Sequence, residues 1–285
     1  MSALSDKLAT GASTVARAWI VRRKDGVELG FTDHDGDLVV DGVICRAASG
    51  LTASALQAST GLAVDNSEVA GALSNDALSA ADIRAGRWDD AKVVAYLVDW
   101  STPATFDILF RGSLGEITES GERFTAELRG LAEALNTTRG RVYHGRCDAV
   151  LGDGRCGLDM SVGGRVFVGR IIRVEEDGRR LWVGAAAGQP DHWFDRGRAR
   201  FTRGAAENLI ATIKSDEASG SGRILELWSA PGAVPAVDDA VELHAGCDKA
   251  MVTCRDKFAN IRNYRGFPHI PGDDWLMSVP ALGAS

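Results

Sequence analysis

The chain has 285 residues, of which 45% are hydrophobic and 25% charged, a composition that supports one large or two modest globular domains and excludes a disordered protein. Its formal net charge of −7 and pI near 5.3 argue against direct nucleic-acid binding, because phosphate groups are bound by clustered Lys and Arg. No run approaches the roughly 20 apolar residues of a transmembrane segment, and residues 1–13 lack the apolar stretch of a signal peptide, so we expect synthesis in the cytoplasm.

Short β-prone runs separated by turn signals dominate residues 1–140 and predict an antiparallel, β-rich N-terminal domain. The predicted strands are residues 15–22, 27–32, 38–46, 93–100, 106–110 and 124–128. Turns are predicted at Lys24-Asp25-Gly26, Asp41-Gly42 and Ser120-Gly121. Two short helices are also predicted, over residues 79–85, with Ser79 as the N-cap, and over residues 128–135.

A second block of strand signals, residues 165–246, predicts a smaller all-β domain with a barrel-like or sandwich arrangement. Its predicted strands are residues 165–174, 180–183, 191–201, 211–215, 224–228 and 240–244, with turns at Asp177-Gly178 and Gly220-Ser221-Gly222. Residues 141–164 and 247–285 form separate segments on either side, and the chain after Cys254 is expected to be ordered but irregular. The predicted fold class is therefore mainly β, a β-rich α+β protein.

Four of the five cysteines form two close pairs that bracket the second β block. Eight residues separate Cys147 from Cys156, six separate Cys247 from Cys254, and 90 residues lie between the pairs. Two such pairs can supply four thiolates to tetrahedral zinc or to an iron–sulfur cluster. These spacings are loose for a zinc knuckle and favour the cluster, while buried or disulfide-paired cysteines remain an alternative.

Small and basic residues stand beside the four cysteines and agree with ligation of some kind. Glycines could let backbone N–H groups approach sulfur, and cationic side chains could offset the charge of four thiolates, although both could equally be ordinary loop residues. These neighbours are Gly145, Gly152, Gly154, Gly157, Gly246, Arg146, Arg155, Lys249 and Arg255.

Other candidate sites have weaker support. The Asp33-His34-Asp35-Gly36-Asp37 run resembles the start of a calcium loop, but its glycine falls at the fourth position and Ile44 occupies the twelfth, so a charged turn is preferred. Cys45 lies in a β-prone run and is interpreted as a core residue. No nucleophile elbow, Walker loop or dinucleotide-binding fingerprint is present, so we predict that the protein is not an enzyme.

The cysteine pattern and the residues after it resemble the tail-tip baseplate hub proteins of gene transfer agents and long-tailed phages. The resemblance runs through the segment from Tyr143 to Cys156, the Cys247-x6-Cys254 pair and the Asn260-x-x-Asn263-Tyr264-Arg265-Gly266-Phe267-Pro268 motif, and it includes Gly30-Phe31-Thr32-Asp33-His34-Asp35. It spans nearly the whole chain. The tail-tip protein L of phage lambda is similar more remotely.

The resemblance implies a structural, non-enzymatic subunit of a homo-oligomeric ring, a trimer, in the tail tip of a virion assembled in the bacterial cytoplasm. It implies partners as well, the distal tail protein and the central tail-tip, fibre or puncturing protein. It also implies that Cys147, Cys156, Cys247 and Cys254 ligate one [4Fe–4S] cluster. The alternatives are an iron–sulfur redox protein, which would use the same thiolates, and a zinc-stabilised binding module.

Overall fold

The structure is a computed structural model, and it describes residues 14–47, 52–53, 66–72, 79–120, 123–131, 140–184, 188–220 and 222–271, together with Leu4 and Leu8. The chain divides into two compact units, Met1–Thr138 and Arg139–Ser285. In the described ranges, none of the helices has the length and apolar character needed to span a bilayer.

The described residues of the first unit form one nine-stranded sheet in the order β3-β4-β2-β1-β7-β8-β9-β6-β5. Strands β2 and β4 pair in parallel, and the other neighbours pair antiparallel. The strands are β1 Val15–Arg22, β2 Glu28–Thr32, β3 Leu38–Val40, β4 Val43–Arg46, β5 Thr52–Ala53, β6 Asn66–Ala72, β7 Lys92–Asp99, β8 Phe106–Ser120 and β9 Arg123–Gly130.

Strands β1 and β7, in the middle of this sheet, are buried on both faces. Successive side chains of a strand point to opposite faces, so Ile20 packs in one core cluster with Tyr96, whereas Trp19 packs in another with Ala95 and Trp88. Burial on both faces explains why β1 and β7 read as nearly continuous apolar runs.

Residues 38–46, predicted as one strand around a turn, form the hairpin β3–β4. Asp41 and Gly42 both have positive φ, 49° and 79°, and they connect Val40 to its partner Val43. Two-residue hairpin turns of this kind require left-handed backbone at both positions, which Asp-Gly supplies at low cost. The predicted turn at Asp41-Gly42 is therefore confirmed.

The first predicted helix is confirmed and the second is wrong in part. Helix α1, Ala80–Arg84, begins after Ser79, whose hydroxyl accepts the Asp82 N–H at 3.1 Å. Residues 128–130, by contrast, belong to β9, because Leu128 pairs with Leu114 and is buried in the sheet. Residues 132–135 of that predicted helix, and Gly121 of the predicted turn, lie outside the described residues.

The second unit contains a closed six-stranded antiparallel barrel, and the predicted mainly β class is confirmed. The strand order is β10-β11-β14-β13-β12-β15, and β15 pairs with both β12 and β10. The barrel core includes Phe201, Ile213, Leu225 and Leu243. The strands are β10 Val166–Glu175, β11 Arg180–Gly184, β12 Arg198–Phe201, β13 Ile210–Ser219, β14 Gly222–Leu227 and β15 Ala240–His244.

The predicted strand over residues 191–201 is shorter in the structure. Only Arg198–Phe201 is a strand, and residues 191–197 are not. A buried ion pair explains the difference. Arg223 binds Asp216 inside the barrel and also donates to the carbonyls of Gln189 and Pro190, each at 2.8 Å. Asp216 in turn accepts the Phe194 N–H at 2.9 Å. This pair holds the segment before β12 as a loop.

Candidate four-cysteine centre

The structure brings Cys147, Cys156, Cys247 and Cys254 together around one cavity. All four are half-buried free thiols, and both pairs contribute to the cavity although 90 residues separate them. Cys156 and Cys247 pack against a small apolar cluster that contains Leu158, Ala245 and Phe258. The site therefore lies within the second unit, beside the barrel.

Direct hydrogen bonds join the two cysteine segments next to the cavity. The Cys147 N–H donates to the Lys249 carbonyl at 2.9 Å, and the Arg146 guanidinium donates to the Asp248 carbonyl at 3.0 Å. The Tyr264 hydroxyl donates to the Gly145 carbonyl at 2.7 Å. These bonds align the first segment with the second independently of any sulfur ligand.

A carboxylate-capped turn positions Cys156. Asp153 accepts the N–H groups of Cys156 at 2.7 Å, Val150 at 2.9 Å and Arg155 at 3.0 Å. These backbone hydrogen bonds, that of Cys156 first, lower the pKa of Asp153. The turn thus keeps its charged cap at neutral pH and holds Cys156 towards the cavity.

A short helix presents Cys254, and sequence analysis did not predict it. Helix α2, Met251–Asp256, occupies part of the second cysteine segment and is followed by a 3-10 turn, Ile261–Asn263. The Asn260 N–H donates to the Cys254 carbonyl at 2.9 Å, which ends the helix in a defined turn. Six helical residues give too little periodicity to separate a helix from irregular chain.

The thiols are close enough to affect one another electrostatically. Burial raises the pKa of Cys254, and the neighbouring Cys247, Cys147 and Cys156 raise it further. Burial also raises the pKa of Cys247, against a smaller lowering effect of Lys249. Bound metal ions deprotonate coordinating thiols, so a cationic cluster would reverse this preference for the neutral form.

The basic side chains near the four cysteines form ion pairs or hydrogen bonds with other groups of the protein. Arg155 pairs with Asp148 at 2.5 Å, and Arg255 pairs with Asp256 at 2.6 Å. Lys257, which sequence analysis passed over, donates from Nζ to the carbonyls of Gly246, at 2.8 Å, and Trp193. Its ammonium also lies 4.6 Å from the centroid of the Trp193 ring, and burial lowers the pKa of Lys257. Lys257 therefore ties the loop before β12 to the residue preceding Cys247.

A mononuclear metal site requires its ligands to converge on one point. In the part of the chain that the structure describes, no three His, Cys, Asp or Glu side chains are arranged to hold one metal ion. Four thiolates on one zinc ion lie about 3.8 Å apart, because each Zn–S bond is about 2.3 Å long. The four thiols line one shared cavity, so the residue types present there allow a four-thiolate centre.

The residues assigned to other roles lie in the first unit. Cys45 is fully buried in the sheet core, and burial raises the pKa of its thiol to about 11, which makes it a packing residue. Asp33 accepts the Arg17 N–H at 2.6 Å and Asp37 accepts the Ala47 N–H at 2.8 Å. These carboxylates thus bind backbone N–H groups outside the turn, one in β1 and one just after β4.

The backbone of Gly246 lies against the backbone of the loop before β12, so a side chain at this position is expected to destabilise the fold. Its N–H donates to the Trp193 carbonyl at 3.1 Å, and an added Cβ would stand 1.6 Å from the Asp195 carbonyl oxygen. We expect Gly246→Ala to lower the free energy of unfolding by about 3 kcal/mol, because the loop before β12 must move. Chemical denaturation under anaerobic conditions measures the loss.

Gly154→Ala is the matched control for that substitution. A Cβ added at Gly154 has no atom within 4 Å, and the backbone there is not left-handed. We expect near wild-type stability for Gly154→Ala. Equal stability losses for the two variants would contradict the close backbone contact at Gly246.

Asn260 and Tyr264 are two further neighbours of the site that residue-type reasoning did not assign. Asn260 Nδ2 lies 3.5 Å from Cys156 Sγ, and the Tyr264 hydroxyl bonds to the Gly145 carbonyl. The Asn-x-x-Asn-Tyr motif that follows Cys254 was the available signal, since polar side chains placed just after a ligand often support it.

Fold and site together define a β-rich protein with a nine-stranded sheet in one unit and, in the other, a closed barrel beside a four-thiol centre. Comparison with known proteins is consistent with this class. A family model described as "Baseplate hub protein, N-terminal attachment domain" matches residues 1–159, and one described as "Phage conserved hypothetical protein BR0599" matches residues 192–274. A comparison with curated protein sequences gave no match.

A solved structure to which the chain is similar covers its whole length. It is a chain from a structure titled "Virion of native gene transfer agent (GTA) particle", with 45% sequence identity and a TM-score of 0.91. The match covers 100% of this chain and 98% of that one. The chain therefore belongs to the baseplate hub protein family, and the resemblance found in the sequence is confirmed.

Proposed function

We propose that this protein is a structural hub subunit of a gene-transfer-agent-like or phage-like tail tip, stabilised by one [4Fe–4S] cluster. It forms a homotrimeric ring and connects the distal tail protein to the central fibre or puncturing protein. Family membership and the neighbour in a gene transfer agent virion support the tail role. The trimer and the two partners rest on the family resemblance.

The observation that carries the cluster is the shared cavity of the four thiols. Among the residues that the structure describes, Cys147, Cys156, Cys247, Cys254 and Lys249 are the ionisable ones that line it. The rest of the wall is formed by Ala149, Leu151, Ala250, Phe258, Asn260 and Asn263. A purely thiolate donor set in a largely apolar wall fits an iron–sulfur cluster, whose ligands are Cys thiolates.

The role assigned to the cluster is a structural cross-link. When bound, it supplies four iron–thiolate bonds that connect the segments before and after the barrel. Cys156 and Cys247 would be joined across a loop of 90 residues. In the chain-entropy model, a cross-link of that length stabilises the folded state by about 4 to 5 kcal/mol. The barrel would thereby be clamped at both ends of its sequence.

The protein's own residues prepare the site for this group. The hydrogen bonds from Cys147 to Lys249 and from Tyr264 to Gly145 hold the two segments side by side, and Asp153 holds the turn that carries Cys156. The apolar side chains of Leu151 and Phe258 limit the access of water to the sulfurs. Each of these is a positioning function, and none requires a substrate.

Metal and sulfide analysis of anaerobically purified protein tests the proposal. We expect a brown protein with broad visible absorbance and about four iron and four sulfide per chain. The Cys45→Ala variant is the control, because Cys45 is buried in the other unit, and it should keep the full complement. A colourless wild-type protein that contains zinc or no metal would refute the cluster.

A further inference from the structure

The side-chain amide of Asn260 lies against Cys156, 104 residues earlier in the chain. Its Nδ2 donates a hydrogen bond to the Cys156 carbonyl oxygen at 2.7 Å and lies 3.5 Å from Cys156 Sγ. The backbone of the same residue is bound to the other pair, since the Asn260 N–H donates to the Cys254 carbonyl at 2.9 Å. One asparagine therefore contacts one cysteine of each pair.

Asn263 determines which end of the Asn260 amide faces Cys156. Asn263 Nδ2 donates to Asn260 Oδ1 at 2.8 Å. Because Oδ1 is occupied as an acceptor, the NH2 group is the end that points to the sulfur. The Asn263 N–H also donates to the Asn260 carbonyl at 3.0 Å, so both amides are held in one turn.

Gly157 leaves the space that Asn263 occupies. Its φ is +61°, and a Cβ added there would lie 3.2 Å from Asn263 Nδ2. A residue directly after Cys156 with a side chain would thus both strain the backbone and press on Asn263. The first cysteine segment is shaped to accept the amide that comes from the second.

We propose that Asn263 and Asn260 form a two-amide relay that places a hydrogen bond on the Cys156 sulfur and so sets the potential and lifetime of the cluster. The inference rests on the proposed [4Fe–4S] function and adds a regulatory element to it. Hydrogen bonds to cluster sulfurs stabilise the more negative, reduced form and raise the reduction potential. They also orient the ligand, and removing such a support typically weakens metal binding about 10- to 100-fold.

Three variants and one control test the relay. In Asn260→Ala we expect a lower midpoint potential and about tenfold faster loss of iron to a chelator, because the sulfur loses its donor. Asn263→Ala should shift both quantities in the same direction by less, since the Asn260 amide remains but can rotate. The double variant should match Asn260→Ala alone, because Asn263 acts through Asn260. Ile261→Ala, an exposed position in the same turn, should behave as wild type.

The measurements are a dithionite titration followed by visible absorbance, and the rate of iron release to a chelator. If Asn260→Ala does not fold, the potential and the iron-release rate of Asn263→Ala test the relay, because this variant leaves the Asn260 side chain next to Cys156. Wild-type potential and wild-type iron release in folded Asn263→Ala and Asn260→Ala that still carry the cluster would overturn the relay only. A wild-type protein without iron and sulfide would overturn the cluster and the relay together.

Discussion

Cys254→Ser is expected to produce a protein without a stable cluster and particles without a working tail tip. The substitution removes one of four thiolates while leaving the size of the side chain nearly unchanged. Without the cross-link, the segments around the barrel regain the freedom of a 90-residue loop, so the unfolding free energy should fall by about 4 kcal/mol. Iron content, anaerobic denaturation and electron microscopy of particles measure the three effects.

Two comparisons make this result specific. Cys147→Ser should act like Cys254→Ser, because the two cysteines come from different segments but line the same cavity. Cys45→Ala should keep its iron and form normal particles, since its thiol is buried in the sheet of the first unit. If the cluster-free variants unfolded like wild type and assembled normally, the structural role of the cluster would be wrong.

Arg223→Met is expected to cause a large loss of stability in the barrel. Arg223 is 1% exposed and Asp216 is fully buried, so the substitution leaves a buried carboxylate without its cation. Breaking such a pair from one side costs about 3 to 5 kcal/mol. The carbonyls of Gln189 and Pro190 lose their donors as well. Denaturation of the anaerobically purified chain measures the change.

Lys214→Met is the matched control, because Lys214 is an exposed cation of the same barrel that pairs with Glu226 at 2.8 Å. Exposed ion pairs add little to stability, so we expect almost no change. The double substitution Arg223→Met with Asp216→Leu should recover part of the loss, because it removes the unpaired charge. Equal losses of unfolding free energy for Arg223→Met and Lys214→Met would show that the buried ion pair contributes no more to stability than an exposed one.

The sequence predicts well those strands whose bounds are set by neighbouring residues. Val15–Arg22 and Ala240–His244 have the bounds expected from their runs of β-prone residues and flanking turn signals. Residues 128–130 and 191–197 are different, because partners far along the chain decide their structure. Leu128 pairs with Leu114 in the sheet, and Asp216 holds the loop around Phe194. No local window contains those partners.

For the site, residue type and spacing identify the candidate ligands but not their support. The four cysteines stand out as two pairs, and the structure brings them to one cavity. Lys257 was not singled out, because its acceptors are the carbonyls of Trp193 and Gly246, and carbonyl groups carry no sequence signal. Asn260 was visible only within a motif, since its contact with Cys156 spans 104 residues.

Closure of the barrel has a consequence for the ring proposed above. Because β15 pairs with both β10 and β12, each of the six strands has its backbone hydrogen-bonding edges matched to neighbours. Open edges invite extra strands from other molecules and lead to runaway polymerisation. A closed barrel offers no such template, so in the proposed ring neighbouring copies would not be able to add strands to this barrel.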